Sequence, residues 1–327
     1  MALEDSFGRS HTYLRISVTD RCNYRCVYCM PEEGLQWSPR SDLLRYEEIA
    51  RIVRIMSSMG IRKVRITGGE PTVRADIISL VESIAAIPAI DDIAMTTNAH
   101  TLEKLAQPLA EAGLSRVNIS IDSLDSKRFM LLTRGGSLQR VLRGIQAARD
   151  AGLGPIKLNA VLLEGHNEDE VLDFIDYCSQ TATDTELRFI EYMPFERRKF
   201  KSVPAARTRE MIREKWTLEP AGPRNKTDGP AQRYRIAETG LTVGFISPLS
   251  EHFCATCNRL RLMADGHLRT CLAHDDTPSL RDLIRAGHSD RTIEEAIQAM
   301  VLGKPIGHEC GITDGVPFQG TMTAIGG

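Results

Sequence analysis

Six of the eight cysteines stand in two tight groups far apart in the 327-residue chain, Cys22-x3-Cys26-x2-Cys29 and Cys254-x2-Cys257-x13-Cys271. In a chain of this size without secretory features, such grouping points to metal or redox chemistry rather than to disulfides. The first spacing lets one short loop, Thr19–Pro31, wrap three thiolates around an iron–sulfur cube, whereas structural zinc and ordinary ferredoxin sites take four ligands. Three ligands leave one iron open to a small molecule. The plainer alternative is zinc, with His11 completing the first group and His252, His267 or His274 completing the second. Cys178 and Cys310 stand alone and read as small buried hydrophobes.

These loops need a scaffold, and the sequence up to residue 193 supplies one. β-rich runs at Tyr13–Thr19, Lys63–Thr67, Ile93–Asn98, Arg116–Asp122, Ile156–Val161 and Leu187–Tyr192 alternate with helical patterns at Tyr46–Met59, Ala75–Ile87, Leu102–Ala112, Leu138–Ala151 and Glu168–Ser179. Strands joined by helical crossovers form a parallel sheet with all strand C-termini on one rim. A complete barrel has eight strands, so six predict a partial α/β (β/α)6 TIM-like barrel, open at one side, over residues 1–193. Residues 194–327 form a C-terminal extension: a loop-like basic stretch at Arg197–Lys201, a Gly- and Pro-rich stretch at Pro220–Pro230, a hairpin of Gln232–Ile236 and Leu241–Ser247, the second cysteine group, and helical patterns at Leu280–Ala286 and Ile293–Met300.

The strands alternate where parallel strands covered on both faces would read as continuous apolar runs. Leu14, Ile16 and Val18 oppose Arg15, Ser17 and Thr19; Val64 and Ile66 oppose Lys63, Arg65 and Thr67; Asn118, Ser120 and Asp122 oppose Val117, Ile119 and Ile121; Lys157 and Asn159 oppose Ile156, Leu158 and Ala160. If the apolar set packs on the helices, the polar set lines a wet interior carrying Arg15, Arg65 and Lys157, a trio suited to a polyanion such as a triphosphate. The alternative is that these cations sit at strand ends and reach solvent.

Composition bounds the rest. With 42% hydrophobic residues the chain can bury one large core. Lys and Arg total 41 against 43 Asp and Glu, a net charge of −2, which argues against a broad nucleic-acid footprint. No apolar stretch approaches a membrane span, and Met1–Ser10 lacks the core of a signal peptide, so the expectation is a cytoplasmic protein contacting neither membrane nor nucleic acid.

Cys22-x3-Cys26-x2-Cys29 with Tyr28 before the last cysteine, together with Gly68-Gly69-Glu70-Pro71 after the second strand, resembles the radical S-adenosylmethionine superfamily. Phe253-Cys254-Ala255-Thr256-Cys257-Asn258-Arg259-Leu260-Arg261, Thr96-Thr97-Asn98, Asn118–Ser123, Arg188–Met193 and the terminal Gly326-Gly327 resemble the GTP 3′,8-cyclase family within it, and the likeness runs from Tyr13 to Gly327. Where many members have glycine after Thr-Thr-Asn, this chain has Ala99 and then His100. The resemblance implies two [4Fe-4S] clusters, on Cys22, Cys26 and Cys29 and on Cys254, Cys257 and Cys271. It implies S-adenosylmethionine on Tyr28, Gly69, Glu70, Ser120 and Met193, and GTP on Arg15, Arg65, Thr96, Lys157 and Arg259, Leu260 and Arg261. It also implies that the Gly326-Gly327 tail reaches the active site; a frayed end or a conjugation signal are the other readings of that diglycine. The implied reaction joins ribose C3′ to guanine C8 through a 5′-deoxyadenosyl radical, the first step of molybdenum cofactor synthesis. Its implied partners are a reducing electron donor and a downstream cyclic pyranopterin monophosphate synthase; a homodimer is a further possibility. A radical enzyme with a different substrate, or a non-enzymatic iron–sulfur or zinc regulator, would share the cysteines.

Overall fold

Each barrel strand buries its apolar set. Leu14, Ile16, Val64, Ile66, Val117, Ile119, Ile156 and Leu158 are fully buried in one continuous core shared with the helices. In a computed structural model, which describes residues 3–181, 184–194, 200–222, 229–273 and 278–308, these runs form β1 (Tyr13–Ser17), β2 (Lys63–Thr67), β3 (Asp92–Thr97), β4 (Arg116–Ser120), β5 (Ile156–Leu162) and β6 (Thr185–Glu191). All six are parallel and pair in chain order. Covering helices are α1 (Tyr46–Ser58), α2 (Ile77–Ala85), α3 (Leu102–Glu111), α4 (Ser126–Thr133), α5 (Leu138–Asp150) and α6 (Val171–Thr181). The last of these is entered through a 3-10 turn at Glu168–Glu170. Helix α4 escapes a reading by periodicity because Met130 and Leu131 are exposed and blur its apolar face; its start is fixed instead by Asp125, whose side chain accepts from the Arg128 amide at 2.7 Å.

Past residue 193 come α7 (Ala205–Arg213), β7 (Leu218–Pro220), β8 (Gln232–Ile236), β9 (Thr242–Ile246), β10 (Arg259–Leu262), β11 (Leu268–Arg269), α8 (Leu280–Arg285) and α9 (Asp290–Leu302). The expected hairpin is present as the antiparallel β8–β9 pair. The expected six-stranded parallel sheet is longer, however. β9 adds parallel to β6, and β10 adds parallel to β1, so the strand order is β11-β10-β1-β2-β3-β4-β5-β6-β9-β8-β7. Strand edges carry unpaired backbone groups, and the C-terminal segment covers both edges of the six-stranded core. The sheet is thus continuous across residues 193 and 194 while remaining open. Glu48 in α1 receives the Arg285 guanidinium of α8 at 2.8 and 3.0 Å, and these contacts hold its carboxyl down to about 2 against the opposing effect of burial. Among the described residues no helix is long and apolar enough to cross a membrane.

Candidate active site

Both cysteine groups open onto one cavity inside the sheet, Cys22, Cys26 and Cys29 at one side and Cys254, Cys257 and Cys271 at the other. The polar strand faces line it as the period-two pattern predicts: Arg15, then Lys63, Arg65 and Thr67, then Asn118, Ser120 and Asp122, then Lys157 and Asn159. Strand register sets the spacing of charge. Arg15 of β1 stands level with Arg261 of β10 on one side and Arg65 of β2 on the other. Arg65 also donates to the Thr96 hydroxyl at 3.3 Å. Burial, aggravated by neighbouring arginines, drives the Arg15 guanidinium well below its ordinary range and lowers Arg261 to about 10. Tyr13 hydrogen-bonds Arg65 and falls to about 7, because Arg65, Arg15 and Lys63 together outweigh burial. Cations packed at this density are costly without an anion between them.

The far wall is partly neutralised, which the sequence did not signal. Glu186 of β6 sits level with Lys157, accepts from Arg188 Nε at 2.6 Å and lies 3.5 Å from the Lys157 ammonium. Burial nevertheless lowers Lys157 to about 8. Lys63, Arg188, Asn118 and Asn159 are cavity residues that were not singled out beforehand as binding residues; their place on polar strand faces was the available signal.

Around the first cysteine group the backbone is tightly interlocked. The Gly69 amide donates to the Thr19 carbonyl at 2.7 Å and the Glu70 amide to that of Arg21 at 2.8 Å. A Cβ on Gly69 would lie 2.3 Å from the Arg21 carbonyl oxygen, and one on Gly68 2.7 Å from that of Thr19. What the diglycine admits so closely is therefore the cysteine loop itself. Glu70 is buried, and burial raises its carboxyl. Its Oε1 accepts from the Thr72 amide and hydroxyl and from the Thr97 hydroxyl, at 3.1, 2.6 and 2.7 Å; Oε2 accepts from the Asn98 amide at 2.7 Å. Only Oε2 keeps capacity for a further donor. The Tyr28 hydroxyl donates to Asp122 at 2.7 Å, and burial pushes that carboxyl up to about 6. Ala99 takes φ +57°, the left-handed conformation that favours glycine, so the loop keeps that backbone despite carrying a methyl group. Gly144 of α5 lets the helix pack closely on this loop, since a Cβ there would lie 2.5 Å from the Ala99 carbonyl oxygen. His100 accepts from Arg140 at Nε2, leaving Nδ1 to donate to the Tyr24 hydroxyl at 3.0 Å, which braces the cysteine loop.

The spacing of the three sulfurs in each triad suits a cluster better than a single zinc ion, although Cys254 also stands within zinc-ligand reach of His252 and His308. Around one tetrahedral zinc, with Zn–S near 2.3 Å, three sulfurs would lie about 3.8 Å apart. Among the described residues the one set of three such ligand atoms within 4.8 Å of one another is His252, Cys254 and His308, so neither cysteine triad is drawn in that closely. His11 is held instead by Asp5 at 3.0 Å, and His267 lies 3.1 Å from Asp265.

Thus Tyr28, Gly69, Glu70, Ser120, Met193, Arg15, Arg65, Thr96, Lys157, Arg259 and Arg261 all face the cavity. Leu260 is the correction: alternation along β10 turns its side chain fully into the core, away from the arginines on either side. Cys178 is buried in the core as expected, its thiol pushed up to about 12 by burial. Cys310, His274, Gly326 and Gly327 lie outside the described residues.

Comparison with known proteins gives a consistent picture. The model for the radical SAM superfamily matches residues 16–178, and that for Molybdenum Cofactor Synthesis C matches residues 185–310. A GTP 3′,8-cyclase of Listeria welshimeri is 45% identical, with 99% of each chain covered. Those of Moorella thermoacetica and Pseudomonas syringae are each 43% identical, covering 99% of this chain and 100% and 98% of their own. Among solved structures, Streptococcus suis SuiB bound to S-adenosylmethionine superimposes with TM-score 0.59 at 18% identity, covering 88% of this chain and 68% of SuiB. SuiB bound to the precursor peptide SuiA gives 0.61 at 17%, covering 90% and 70%. At such identity the likeness concerns the fold alone.

Proposed function

Because the chain belongs to the GTP 3′,8-cyclase family of the radical SAM superfamily, we propose that the cavity shared by the two cysteine triads brings S-adenosylmethionine and GTP together between two [4Fe-4S] clusters. The observation that carries this reading is the opening of both cysteine triads onto one cavity walled by the Arg261–Arg15–Arg65 row. Cys22, Cys26 and Cys29 would hold the first cluster, which would supply the electron for reductive cleavage of S-adenosylmethionine and so the hydrogen abstraction at ribose C3′ that lets C3′ join guanine C8. Overall, one S-adenosylmethionine and one GTP, with two electrons and one proton, give methionine, 5′-deoxyadenosine and a cyclised isomer of GTP.

In this reading the chain binds, orients and excludes water. Arg15, Arg65 and Arg261 hold the triphosphate, with Arg259 and Lys157 at the flanks and Thr96 fixing Arg65. Tyr28, Gly69, Ser120 and Met193 pack S-adenosylmethionine, and Glu70 offers its remaining Oε2 lone pair to the ammonium while keeping Asn98 in place. Residues 1–193 thus carry S-adenosylmethionine, and residues 194–327 bring the second cluster to the nucleotide. A role for Gly326 and Gly327 in this reaction rests on the resemblance alone. An external reductant supplies the electrons, and the product passes to cyclic pyranopterin monophosphate synthase.

The test is anaerobic turnover with [3′-²H]GTP, S-adenosylmethionine and a chemical reductant. Deuterium should appear in 5′-deoxyadenosine, alongside a chromatographically distinct nucleotide of GTP mass lacking the 3′ deuterium. Equal 5′-deoxyadenosine without GTP, or no deuterium transfer, would overturn the reading.

A further inference from the structure

The strap that follows α9 lies against the second cysteine loop. Its first residue, Lys304, is only 3% exposed, a burial that lysine rarely accepts without a partner. Its ammonium stands 3.6 Å from Cys257 Sγ and donates to the Arg259 carbonyl at 2.8 Å. The negative groups that bear on it are Cys257 and then Cys271, while Arg9 and Arg259 bear on it as cations. Neutral His11 is also near.

The strap is locked on its other side too. Arg9 donates to the Cys254 carbonyl at 3.0 Å and to those of Ile306 and Pro305 at 2.9 and 2.6 Å. Arg9 is itself buried and held by Asp5 at 2.6 Å. At Gly307 a Cβ would lie 3.4 Å from Cys254 Cβ and 3.6 Å from its sulfur. One guanidinium thus ties the residues around Lys304 to the loop that carries the cysteines. The lysine has no freedom to swing toward solvent.

An N–H donated to a thiolate ligand withdraws electron density from the cluster, and a fixed positive charge beside it favours the reduced, more negative state; hydrogen bonds to sulfur and net charge are established controls of cluster potential. At the first triad the donors to the Cys22 sulfur are neutral, the Tyr24 amide at 3.4 Å and the Asn98 side-chain amide at 4.0 Å, and its charged neighbours include the carboxylates of Glu70 and Asp122 as well as Arg25. We propose that Lys304 is a positioning and potential-setting residue of the second cluster, donating to the Cys257 sulfur from a strap held in place by Arg9. The inference rests on the reading that Cys254, Cys257 and Cys271 hold a cluster.

The experiment is an EPR-monitored redox titration of the full anaerobically reconstituted chain, comparing the unaltered protein with Lys304→Met and Lys304→Arg. The second cluster is recognised as the signal that shifts on adding GTP. Lys304→Met should make its one-electron reduction at least tenfold less favourable, about 59 mV, with the first cluster's midpoint unchanged, and Lys304→Arg should restore most of the shift. Loss of second-cluster iron in Lys304→Met that Lys304→Arg prevents also supports the proposal. An unaltered midpoint in fully loaded Lys304→Met overturns it, as does equal loss of iron from both variants. Unaltered protein holding zinc, or only about four irons per chain, would instead strike at the cluster reading itself.

Discussion

The two cysteine triads share a cavity, yet Cys22 and Cys26 of the first and Cys257 of the second sit in opposite electrostatic surroundings, while Cys254 is raised by burial like the first two. Burial, with Glu70 nearby, pushes the Cys22 thiol up to about 11; burial and Asp122 drive Cys26 up as well. At the second triad burial also acts upward, but the Arg259 and Lys304 charges overcome it and bring Cys257 down to about 6. A carboxylate-lined site suits a cationic sulfonium with its ammonium group, whereas a cation-lined site suits a polyphosphate. The loops are also held differently. The first leans on its immediate barrel neighbours Gly68, Gly69 and Glu70, while the second depends on Arg9 and Lys304, residues some 250 and 50 positions away along the chain. In the proposed reading, the same count of cysteines serves two chemistries because the neighbours, rather than the ligands, differ.

The sharpest way to break this comparison is to remove one ligand from each triad. Cys26→Ala should abolish reductive cleavage of S-adenosylmethionine, whereas Cys257→Ala should leave some cleavage and eliminate the cyclised nucleotide. Iron analysis should show each variant falling from about eight to about four irons per chain. Identical losses of cleavage in both would mean that the triads are not separable.

Next in size is the cationic wall. Arg65→Ala should weaken GTP binding about ten- to a hundredfold, the worth of roughly 1.5–3 kcal/mol for a charge-assisted contact, while guanosine binding changes little. Calorimetry with both ligands checks this, and equal losses would assign Arg65 to the fold or the base site. Gly69→Ala should act on the other region alone, since its methyl must displace the Arg21 backbone. Overpacking of this kind costs about 1–3 kcal/mol, and the first cluster's EPR amplitude should drop while the second's persists.

The smallest expected effect is a difference in pH response. His11 beside the second triad is lowered to about 4, chiefly by burial and by Lys304. Below the ordinary histidine value of 6.5 the unfolded chain takes up a proton that the folded chain refuses, so this contribution is fully present above that pH and is lost on acidification. Asp122 has the opposite sign: its raised carboxyl lets the folded chain bind the extra proton between 3.8 and about 6, which favours folding as pH falls. Urea unfolding of the cluster-free chain at pH 7 and pH 5 should show His11→Gln losing about 2 kcal/mol less than the unaltered protein. Equal losses would remove His11 from the acid response.

The chemistry and the scaffold were legible in the sequence for a local reason. Cysteine spacing, the Gly68–Pro71 turn and the period-two strands are short-range signals, and alternation alone turned Arg15, Arg65 and Lys157 inward. No strand was read at residues 259–262, so only the structure shows Leu260 turned into the core away from Arg259 and Arg261. Only the tertiary structure decided that β9 and β10 extend the two edges of the barrel, because edge pairing joins segments far apart in the chain. It alone brought Glu186 level with Lys157, aligned Arg261 with Arg15 and Arg65, and carried Arg9 and Lys304 to the second cysteine loop. Register between strands and the burial of one charged side chain against another are long-range properties, and no local pattern encodes them.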